Sequence, residues 1–312
     1  MNTHTFAEAL LARDGFLILS HRRPDGDTLG SGAALCSALR RMGKTAYIYR
    51  NPQTVPRQHA YVGVFEAPAG FLPQCTVAVD IATPGLFPLG YGGTPDFCVD
   101  HHPSNSGYAP LTLLNGDRSS CGEIVSELIE TMTGSITPEE ATLLYIAVTT
   151  DCGCFQYMNT NADTLRTAAH LIDCGARHHD VVHDFFRKVS RARVLLEGAI
   201  FSGMRFYRDG KVTVAVVTKQ LLADCGAEEN DCEDLAGLPG RIESSVVSVL
   251  VRELDSGESK ISVRTTPEVD ACAVCAHFGG GGHAMAAGCT LDCDPDTAVE
   301  RLLAAIDAEW PA

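Results

Sequence analysis

The sequence predicts an α/β protein with a mostly parallel sheet in its first domain and a smaller α+β fold in its second. Residues 16 to about 186 alternate short apolar runs with helical patterns, which is typical of parallel strands joined by crossover helices. Beyond residue 203 the pattern changes to hairpins with strong turn signals. A chain of 312 residues is long enough for two cores. We predict domains over residues 1–187 and 203–312, joined by a linker helix over 188–202.

Helix signals divide the first domain. Apolar residues keep approximately helical spacing from Leu29 to Met42, so a helix is expected to begin near Thr28 and to end at Gly43. Thr137-Pro138-Glu139-Glu140 predicts a second helix start, because a capping hydroxyl precedes a first-turn proline and two acids. Asn161 predicts a third start, and a connecting helix is expected over 191–201.

The second domain is expected to contain two hairpins. The segments 205–207 and 211–217 flank Asp209-Gly210, and the segments 246–253 and 260–265 flank Asp255-Ser256-Gly257. Helices are expected near 267–278 and 295–309, with the glycine run Gly279–His283 between them. A cleft between the two domains is the expected place for an active site.

Acids and histidines follow four apolar runs, at 16–19, 76–79, 97–99 and 143–148. In order, these polar residues are His21, Asp25 and Asp27, then Asp80, then Asp100, His101 and His102, then Asp151. Polar clusters at the ends of successive apolar segments indicate a site along the carboxyl edge of a parallel sheet, where open α/β folds bind ligands. Oxygen and imidazole donors without thiolate favour Mn²⁺ or Mg²⁺. The pattern therefore predicts a metal-dependent enzyme.

Composition limits the partners and the compartment. A net charge of −15 disfavours a large surface for duplex nucleic acid, although a short anionic substrate can be bound by metal ions and a few local arginines. No apolar run approaches the roughly 20 residues of a membrane span, and no signal peptide opens the sequence. We expect a cytoplasmic protein whose 13 cysteines are mostly reduced.

Two further patterns have a structural explanation that we prefer. Cys272 and Cys275 have the spacing of a zinc ligand pair, but no second pair completes a site, and both lie in an expected helix. His179 and His183 stand one helical turn apart beside two aspartates and could chelate a metal, but we favour a solvated helix face because no third cluster is tied to them.

The order of these motifs closely resembles the DHH phosphoesterase superfamily. Four motifs carry the resemblance in the first half: His21-x-x-x-Asp25-x-Asp27 with Gly30-Ser31, Asp80, Asp100-His101-His102, and Asp151-Cys152-Gly153. The second half resembles the DHHA1 domain through Lys260–Arg264, Gly279–His283 and Ala286-Ala287-Gly288. The compact two-domain arrangement looks like the NrnA-like type, which combines oligoribonuclease activity with phosphatase activity on adenosine 3′,5′-bisphosphate (pAp).

The resemblance implies two bound metal ions. One would be held by His21, Asp25 and Asp80, and the other by Asp27, Asp80, His101 and Asp151, so that Asp80 bridges them. We expect two Mn²⁺, with Mg²⁺ or another divalent ion as the alternative. The charges are consistent with two ions, because the four ligand carboxylates contribute −4 and two divalent ions contribute +4.

The remaining site residues are assigned by the same resemblance. His102 is expected to contact the phosphoryl oxygens or to protonate the leaving group, with Asp100 orienting the imidazoles. In the second domain Arg264 suits a phosphate. The glycines Gly280, Gly281 and Gly282 let a phosphate or nucleotide approach the backbone, and His283 adds a hydrogen bond or a charge.

The implied activity is hydrolysis of single-stranded oligoribonucleotides of about two to five nucleotides to nucleoside 5′-monophosphates, and of pAp to AMP. A cyclic di-AMP or linear dinucleotide phosphodiesterase shares the chemistry, and an inactive nucleotide-binding regulator is the alternative of another class. No long duplex and no membrane is expected as a partner, and a homodimer is one assembly that the resemblance suggests. Cys152, where relatives commonly carry Ser or Thr, and the lack of arginine in 81–86 leave the fine substrate preference open. The sequence also leaves the polarity of cleavage open.

Overall fold

The computed structural model describes residues 1–232 and 235–310. The chain divides into two compact units, Met1–Lys188 and the part from Val189 onward. Each unit has its own apolar core.

The first unit is built around a parallel sheet, as predicted. Its strands are β1 (Phe16–Leu19), β2 (Ala46–Ile48), β3 (Cys75–Val79), β4 (Phe97–Asp100) and β5 (Leu111–Leu114). They are arranged in the order β2-β1-β3-β4-β5, and every neighbouring pair is parallel. The carboxyl ends of all five strands therefore lie along one edge.

Helices cover the sheet of the first unit. They are α1 (Thr3–Leu11), α2 (Gly26–Arg41), α3 (Pro56–Val62), α4 (Cys121–Thr133), α5 (Pro138–Asp151), α6 (Ala162–Asp173) and α7 (His178–Val182), followed by a π-helical turn at His183–Arg187. Thr137 caps α5 and Asn161 caps α6, as predicted. The helix α2 begins two residues before the expected start, because the Asp25 carboxylate accepts hydrogen bonds from the backbone N–H groups of Asp27 and Thr28.

One expectation for the first unit is wrong. The apolar run 143–148 is not a strand at the sheet but the buried middle of α5, and Asp151 is the last residue of that helix. The run is apolar because α5 packs closely against α2, where a Cβ on Gly30 would lie 2.4 Å from the carbonyl oxygen of Leu143. A short apolar run does not distinguish a buried helix from a buried strand.

The second unit contains a mixed sheet of six strands. Its strands are β6 (Arg205–Tyr207), β7 (Val212–Val217), β8 (Val247–Glu253), β9 (Ser259–Thr265), β10 (Gly281–His283) and β11 (Ala286–Leu291). They are arranged in the order β10-β11-β9-β8-β7-β6, with only β7 and β8 parallel among these pairs. Both predicted hairpins are confirmed as the antiparallel pairs β6–β7 and β8–β9.

Helices pack on both faces of this second sheet. They are α8 (Arg191–Ser202), α9 (Lys219–Cys225), α10 (Ala271–Ala276) and α11 (Pro295–Glu309), with short 3₁₀ turns at Glu229–Cys232, Leu235–Gly237 and Pro239–Arg241. Leu196 and Ile200 of α8 join a core on one face, and α10 and α11 cover the other. No helix among residues 1–232 and 235–310 is long and apolar enough to cross a membrane.

The glycine run differs from expectation. It was expected to connect two helices, whereas Gly281–His283 forms the edge strand β10 and pairs with β11. The strand β11 begins Ala286-Ala287-Gly288, and these small residues give a weak strand signal in the sequence. The helix α10 begins later than the predicted 267, because the Asp270 side chain caps it at residue 271, and it ends at Ala276.

Candidate metal centre

The predicted ligands converge at the carboxyl edge of the parallel sheet. His21 follows β1, Asp80 follows β3, and His101 follows β4. These three strands are neighbours in the order β1-β3-β4, so their carboxyl ends bring the three side chains together. The sheet alone explains this half of the site.

Two helices supply the other half. Asp25 and Asp27 lie at the amino end of α2, and Asp151 ends α5. A Cβ on Gly26 would lie 2.4 Å from the Thr150 hydroxyl, so the absence of a side chain at Gly26 lets the two helix ends approach. Packing between α2 and α5 therefore brings Asp27 and Asp151 to the sheet edge.

A first group of ligand atoms consists of His21, Asp25 and Asp80. The Nε2 atom of His21 lies 3.4 Å from Asp25 Oδ2 and 3.6 Å from Asp80 Oδ2. His21 Nδ1 lies 3.0 Å from the carbonyl oxygen of Arg22, and a carbonyl only accepts hydrogen bonds, so Nδ1 carries the proton. The lone pair of Nε2 then faces the two carboxylates.

A second group consists of Asp27, His101 and Asp151, with Asp80 beside it. His101 Nε2 lies 3.9 Å from Asp27 Oδ2, 3.6 Å from Asp151 Oδ2 and 3.5 Å from Asp80 Oδ1. Asp80 thus presents one oxygen to each group. A third arrangement of ligand atoms joins Asp80, His101 and His102.

Two buried atoms of this site have no hydrogen-bond partner among the described residues. They are Asp80 Oδ1 and His101 Nε2, which face each other at 3.5 Å. Buried polar atoms in folded proteins are nearly always paired, and an unpaired one destabilises the fold. A cation bound by the lone pairs of these two atoms would give both of them a partner, so the residues fit a divalent metal ion.

Electrostatics support the same interpretation. Burial raises the pKa values of Asp27 and Asp80 well above the ordinary value. The negative charge of Asp151 raises the pKa of Asp27 further, and the negative charge of Asp27 raises the pKa of Asp80 further. Burial, followed by the charge of Asp25, raises the pKa of Asp151 to about 6. A bound divalent cation would reverse this repulsion and keep all of these carboxylates ionised.

Asp27 is held in place despite this repulsion. Its carboxylate accepts hydrogen bonds from the backbone N–H groups of Cys121 (2.7 Å) and Gly122 (2.9 Å), at the positive end of α4. The Ser31 hydroxyl donates a third at 3.0 Å. The carboxylate is therefore positioned independently of any metal.

The backbone of Asp80 has an uncommon conformation. Its φ is +60°, in the left-handed region that side chains other than glycine rarely adopt. The Asp80 N–H donates to the carbonyl oxygen of Val99 on the neighbouring strand at 2.9 Å, which holds this conformation. Backbone strain of this kind is concentrated at functional sites.

His102 is fixed by Asp100. The Asp100 Oδ1 atom accepts hydrogen bonds from His102 Nδ1 at 2.8 Å and from the His101 and His102 backbone N–H groups. The hydrogen bond to Asp100 raises the pKa of His102. Although burial acts in the opposite direction, hydrogen bonds from His102 and Asn105 keep the pKa of Asp100 below its ordinary value. The Asp100 carboxylate therefore stays ionised and orients a half-exposed imidazole.

Sequence reasoning missed the partners that support these residues. The Asn105 side chain donates to Asp100 Oδ2 at 2.6 Å. His101 Nδ1 lies 3.2 Å from the carbonyl oxygen of Arg118, which fixes its tautomer as in His21. Both partners lie in loops, where no periodic pattern marks a residue.

A buried glutamate holds the Arg118 loop. Glu123 accepts hydrogen bonds from the Ser119 backbone at 3.1 Å and from the Thr164 hydroxyl at 3.0 Å, and it also accepts from the Ser119 hydroxyl. Its other oxygen lies 3.5 Å from Arg118 Nη1. The network fixes the loop whose carbonyl orients His101.

In the second unit, Arg264 and His283 lie on the same face of the sheet. Arg264 of β9 pairs with Ala286 of β11, which in turn pairs with His283 of β10. Directly paired residues project from the same face, and strands are spaced by about 4.8 Å. Both side chains are exposed, with only a methyl group between them.

The glycines of the run have different structural roles. A Cβ on Gly280 would lie 2.4 Å from the Gly288 carbonyl oxygen. Gly282 has a φ of +149°, and a Cβ there would lie 2.5 Å from the Ala286 carbonyl oxygen. The hairpin itself therefore requires Gly280 and Gly282. Gly281 is exposed and has open space around a Cβ, so the packing of the hairpin does not require a glycine there. Its backbone is open to a ligand.

The two alternative metal sites gain no support. Cys275 is buried in the second core, and among the described residues neither Cys272 nor Cys275 belongs to a group of possible metal ligands. His179 and His183 stack with ring centroids 6.4 Å apart, but no third ligand joins them in the described part of the chain.

Comparisons with known proteins identify the family of the chain. The family model described as "DHH family, N-terminal domain" matches residues 15–148, and the model of the DHHA1 domain matches residues 209–310. The protein is therefore a phosphoesterase, a hydrolase with a candidate His/Asp site for divalent metal. The chain belongs to the DHH family and carries its DHHA1 partner domain.

Several relatives share one description. The chain is 34% identical to the bifunctional oligoribonuclease and PAP phosphatase NrnA of Thermus thermophilus, over 97% of this chain and 93% of that protein. It is 24% identical to the protein of the same name from Bacillus subtilis, over 89% and 90% of the two chains. The cyclic-di-AMP phosphodiesterase PdeA of Listeria monocytogenes is 23% identical over 97% of this chain, which spans only 49% of that protein.

A solved structure shares the fold over the whole chain. An exopolyphosphatase-related protein from Bacteroides fragilis superposes with a TM-score of 0.81 at 22% identity, over 98% of this chain and 96% of that one. At this identity the likeness concerns the fold alone.

Proposed function

We propose that the protein is a two-metal phosphoesterase that hydrolyses short oligoribonucleotides to nucleoside 5′-monophosphates and pAp to AMP. The observation that carries the proposal is the position of Asp80, which presents one oxygen to each of two groups of ligand atoms. The similarity to proteins named as oligoribonucleases and PAP phosphatases supports the choice of substrates.

In this proposal His21, Asp25 and Asp80 hold one ion, and Asp27, Asp80, His101 and Asp151 hold the other. Mn²⁺ is the ion that we favour, and the oxygen and nitrogen donors also suit Mg²⁺. When bound, two divalent ions activate water and stabilise the attacking and leaving oxygens of an in-line displacement at phosphorus.

His102 acts on the leaving group. Its Nδ1 is engaged by Asp100, so Nε2 is the atom that can give a proton to a departing oxygen. The raised pKa of His102 increases the fraction of the protonated imidazole at neutral pH. Asp100 positions the ring and keeps it charged.

Arg264, His283 and the glycine hairpin bind the substrate. The planar guanidinium of Arg264 suits a phosphate, and His283 projects from the same face of the sheet. Gly281 contributes a backbone surface with no side chain in the way of a nucleotide. None of these residues belongs to the groups of metal ligands.

The test compares turnover of pAp, a 5′-phosphorylated diribonucleotide, cyclic di-AMP and pyrophosphate by the purified protein with Mn²⁺. Nucleoside monophosphates released from the first two support the proposal. Preference for cyclic di-AMP would instead favour a signalling phosphodiesterase, and no turnover of any substrate would favour a nucleotide-binding regulator.

Variants test the roles of the residues. Asp80→Ala should abolish turnover and Mn²⁺ binding, whereas Arg264→Ala should mainly raise KM. Asp173→Ala, at an exposed carboxylate on α6, is the matched control and should leave both intact. Equal activity of the wild type and Asp80→Ala would overturn the mechanism.

A further inference from the structure

Two arginines lie between two metal-ligand candidates. Arg22 and Arg23 separate His21 from Pro24 and Asp25, and both are exposed. The Arg22 N–H donates to the carbonyl oxygen of Leu86 at 2.7 Å, and the Arg23 N–H donates to the Gln53 side chain at 3.3 Å. The backbone of this loop is therefore anchored, and its cationic side chains are solvent-accessible.

The backbone of Arg23 is also strained. Its φ is +55°, in the left-handed region that few side chains adopt. Non-glycine residues in this region are typical of functional sites. Pro24 follows it and accepts a hydrogen bond from the Gln58 side chain at 3.0 Å, a further anchor for the loop.

These arginines are the free cations nearest in sequence to the metal ligands. The five segments that build the site, 15–30, 76–83, 96–106, 115–121 and 146–160, contain three lysine or arginine residues, Arg22, Arg23 and Arg118. Arg118 is paired with Glu123, and it also faces Glu127 and Asp163. Within residues 1–232 and 235–310, the guanidinium groups of Arg22 and Arg23 have no ion-pair or hydrogen-bond partner.

The two proposed reactions share a chemical feature that such cations would recognise. In pAp plus water giving AMP plus phosphate, the bond between phosphorus and the 3′-oxygen breaks and the 5′-phosphate is retained. In pApA plus water giving two AMP, the same type of bond breaks in a nucleoside that again retains its 5′-phosphate. Each substrate therefore carries a second phosphate that is not cleaved.

This retained phosphate needs a positive partner. The two metal ions of the proposed mechanism neutralise the four ligand carboxylates and leave no excess positive charge for a second phosphate. The chain as a whole, at −15, repels an anion. Guanidinium groups suit phosphate because they donate two parallel hydrogen bonds.

We propose that Arg22 and Arg23 bind the retained 5′-phosphate of the substrate, an inference that rests on the proposed function. They make the enzyme prefer substrates that bear a 5′-phosphate over those that lack it. The site is thus selective for a 5′-phosphorylated nucleoside whose 3′-oxygen carries the phosphorus under attack.

The experiment compares pApA with ApA, which differ only in the 5′-phosphate. The preference is the ratio of kcat/KM for pApA to kcat/KM for ApA, measured with Mn²⁺ for the wild type, Arg22→Gln, Arg23→Gln and the double variant. Arg13→Gln is the matched control. Arg13 is exposed and precedes β1, whereas Arg22 follows β1. The control therefore removes the same charge at the opposite edge of the sheet. Thermal melting with and without Mn²⁺ verifies that each variant folds and binds metal.

We expect the preference to fall by about tenfold for each arginine, which is about 1.4 kcal/mol each, mainly through KM for pApA. Arg13→Gln should keep the wild-type preference. A double variant whose preference stays within twofold of the wild type would overturn the inference. An equal fall in Arg13→Gln would overturn it as well, because net charge would then explain the effect.

The outcomes also separate this inference from the proposed function. If the wild type hydrolyses both dinucleotides and the preference is insensitive to Arg22 and Arg23, only the inference fails. If the preference disappears in Arg264→Gln instead, the second unit binds the 5′-phosphate and the inference is wrong. If the wild type hydrolyses neither dinucleotide, the proposed function fails and the inference fails with it.

Discussion

Replacing Asp151 by asparagine should stabilise the metal-free protein and weaken its metal binding. Burial, followed by the charge of Asp25, raises the pKa of Asp151 from 3.8 to about 6. Its side chain is 27% exposed, so water screens it only in part. Because one pKa unit corresponds to about 1.4 kcal/mol, ionised Asp151 costs the folded state up to about 3 kcal/mol.

Proton binding by Asp151 determines how the stability of the metal-free protein changes with pH. Since the pKa of Asp151 is higher in the folded state than in the unfolded state, the folded state binds more protons between pH 3.8 and about 6. The contribution of Asp151 to stability is therefore full below this window and is lost as the pH rises through it. Asparagine carries no charge at any pH, so the variant should gain stability over the wild type at pH 8 and lose that advantage near pH 4.

Thermal melting in EDTA between pH 4 and pH 8 measures this effect. For a unit of this size, 1 kcal/mol shifts the melting temperature by about 2–4 °C, so the upper bound at pH 8 is about 6–12 °C. Asp173→Asn, the same substitution at an exposed position of α6, should melt like the wild type. Added Mn²⁺ should raise the melting temperature of the wild type more than that of Asp151→Asn. A metal-free variant that melts at or below the wild type at pH 8 would refute the reasoning.

Three further predictions concern the hairpin, the loop and the histidine. Gly282→Ala should lower the free energy of unfolding by about 1–3 kcal/mol, because Gly282 has a φ of +149° and lies in close contact with β11. Gly281→Ala should unfold like the wild type but raise KM for dinucleotides. Glu123→Gln should weaken Mn²⁺ binding by about tenfold in calorimetry, since the loop that orients His101 loses an ionic contact. Asp100→Asn should move the alkaline limb of the kcat profile to lower pH, because the hydrogen bond to Asp100 raises the pKa of the proton donor His102.

Each of these three predictions has an outcome that contradicts it. Equal unfolding free energies of Gly281→Ala and Gly282→Ala would show that the close contact is not structurally important. Wild-type Mn²⁺ affinity in Glu123→Gln would separate the loop from the metal centre. An alkaline limb unaffected by Asp100→Asn would assign proton donation to a group other than His102.

The structure also limits how far sequence patterns can be interpreted. The apolar run 143–148 precedes Asp151 in the same way that β3 precedes Asp80, yet one is the middle of a helix and the other a strand. All of 143–148 and every residue of β3 except the half-buried Thr76 are buried, and such burial removes the periodicity that would separate a helix from a strand. The capping pattern at Thr137 predicted this segment correctly as a helix, because capping depends on local chemistry.

The sequence by itself determined the parallel sheet, the two hairpins and the residues that compose the candidate metal centre. These features depend on local patterns: apolar runs, caps, turn residues, and acids or histidines directly after them. Only the tertiary structure decided that Asp80 faces two ligand groups and that Asn105 and the Arg118 carbonyl orient the histidines. It also decided that Gly281, unlike Gly280 and Gly282, is free of the hairpin's packing. These relations join residues from separate elements, and the distances between such residues are set by side-chain packing, which no local pattern encodes.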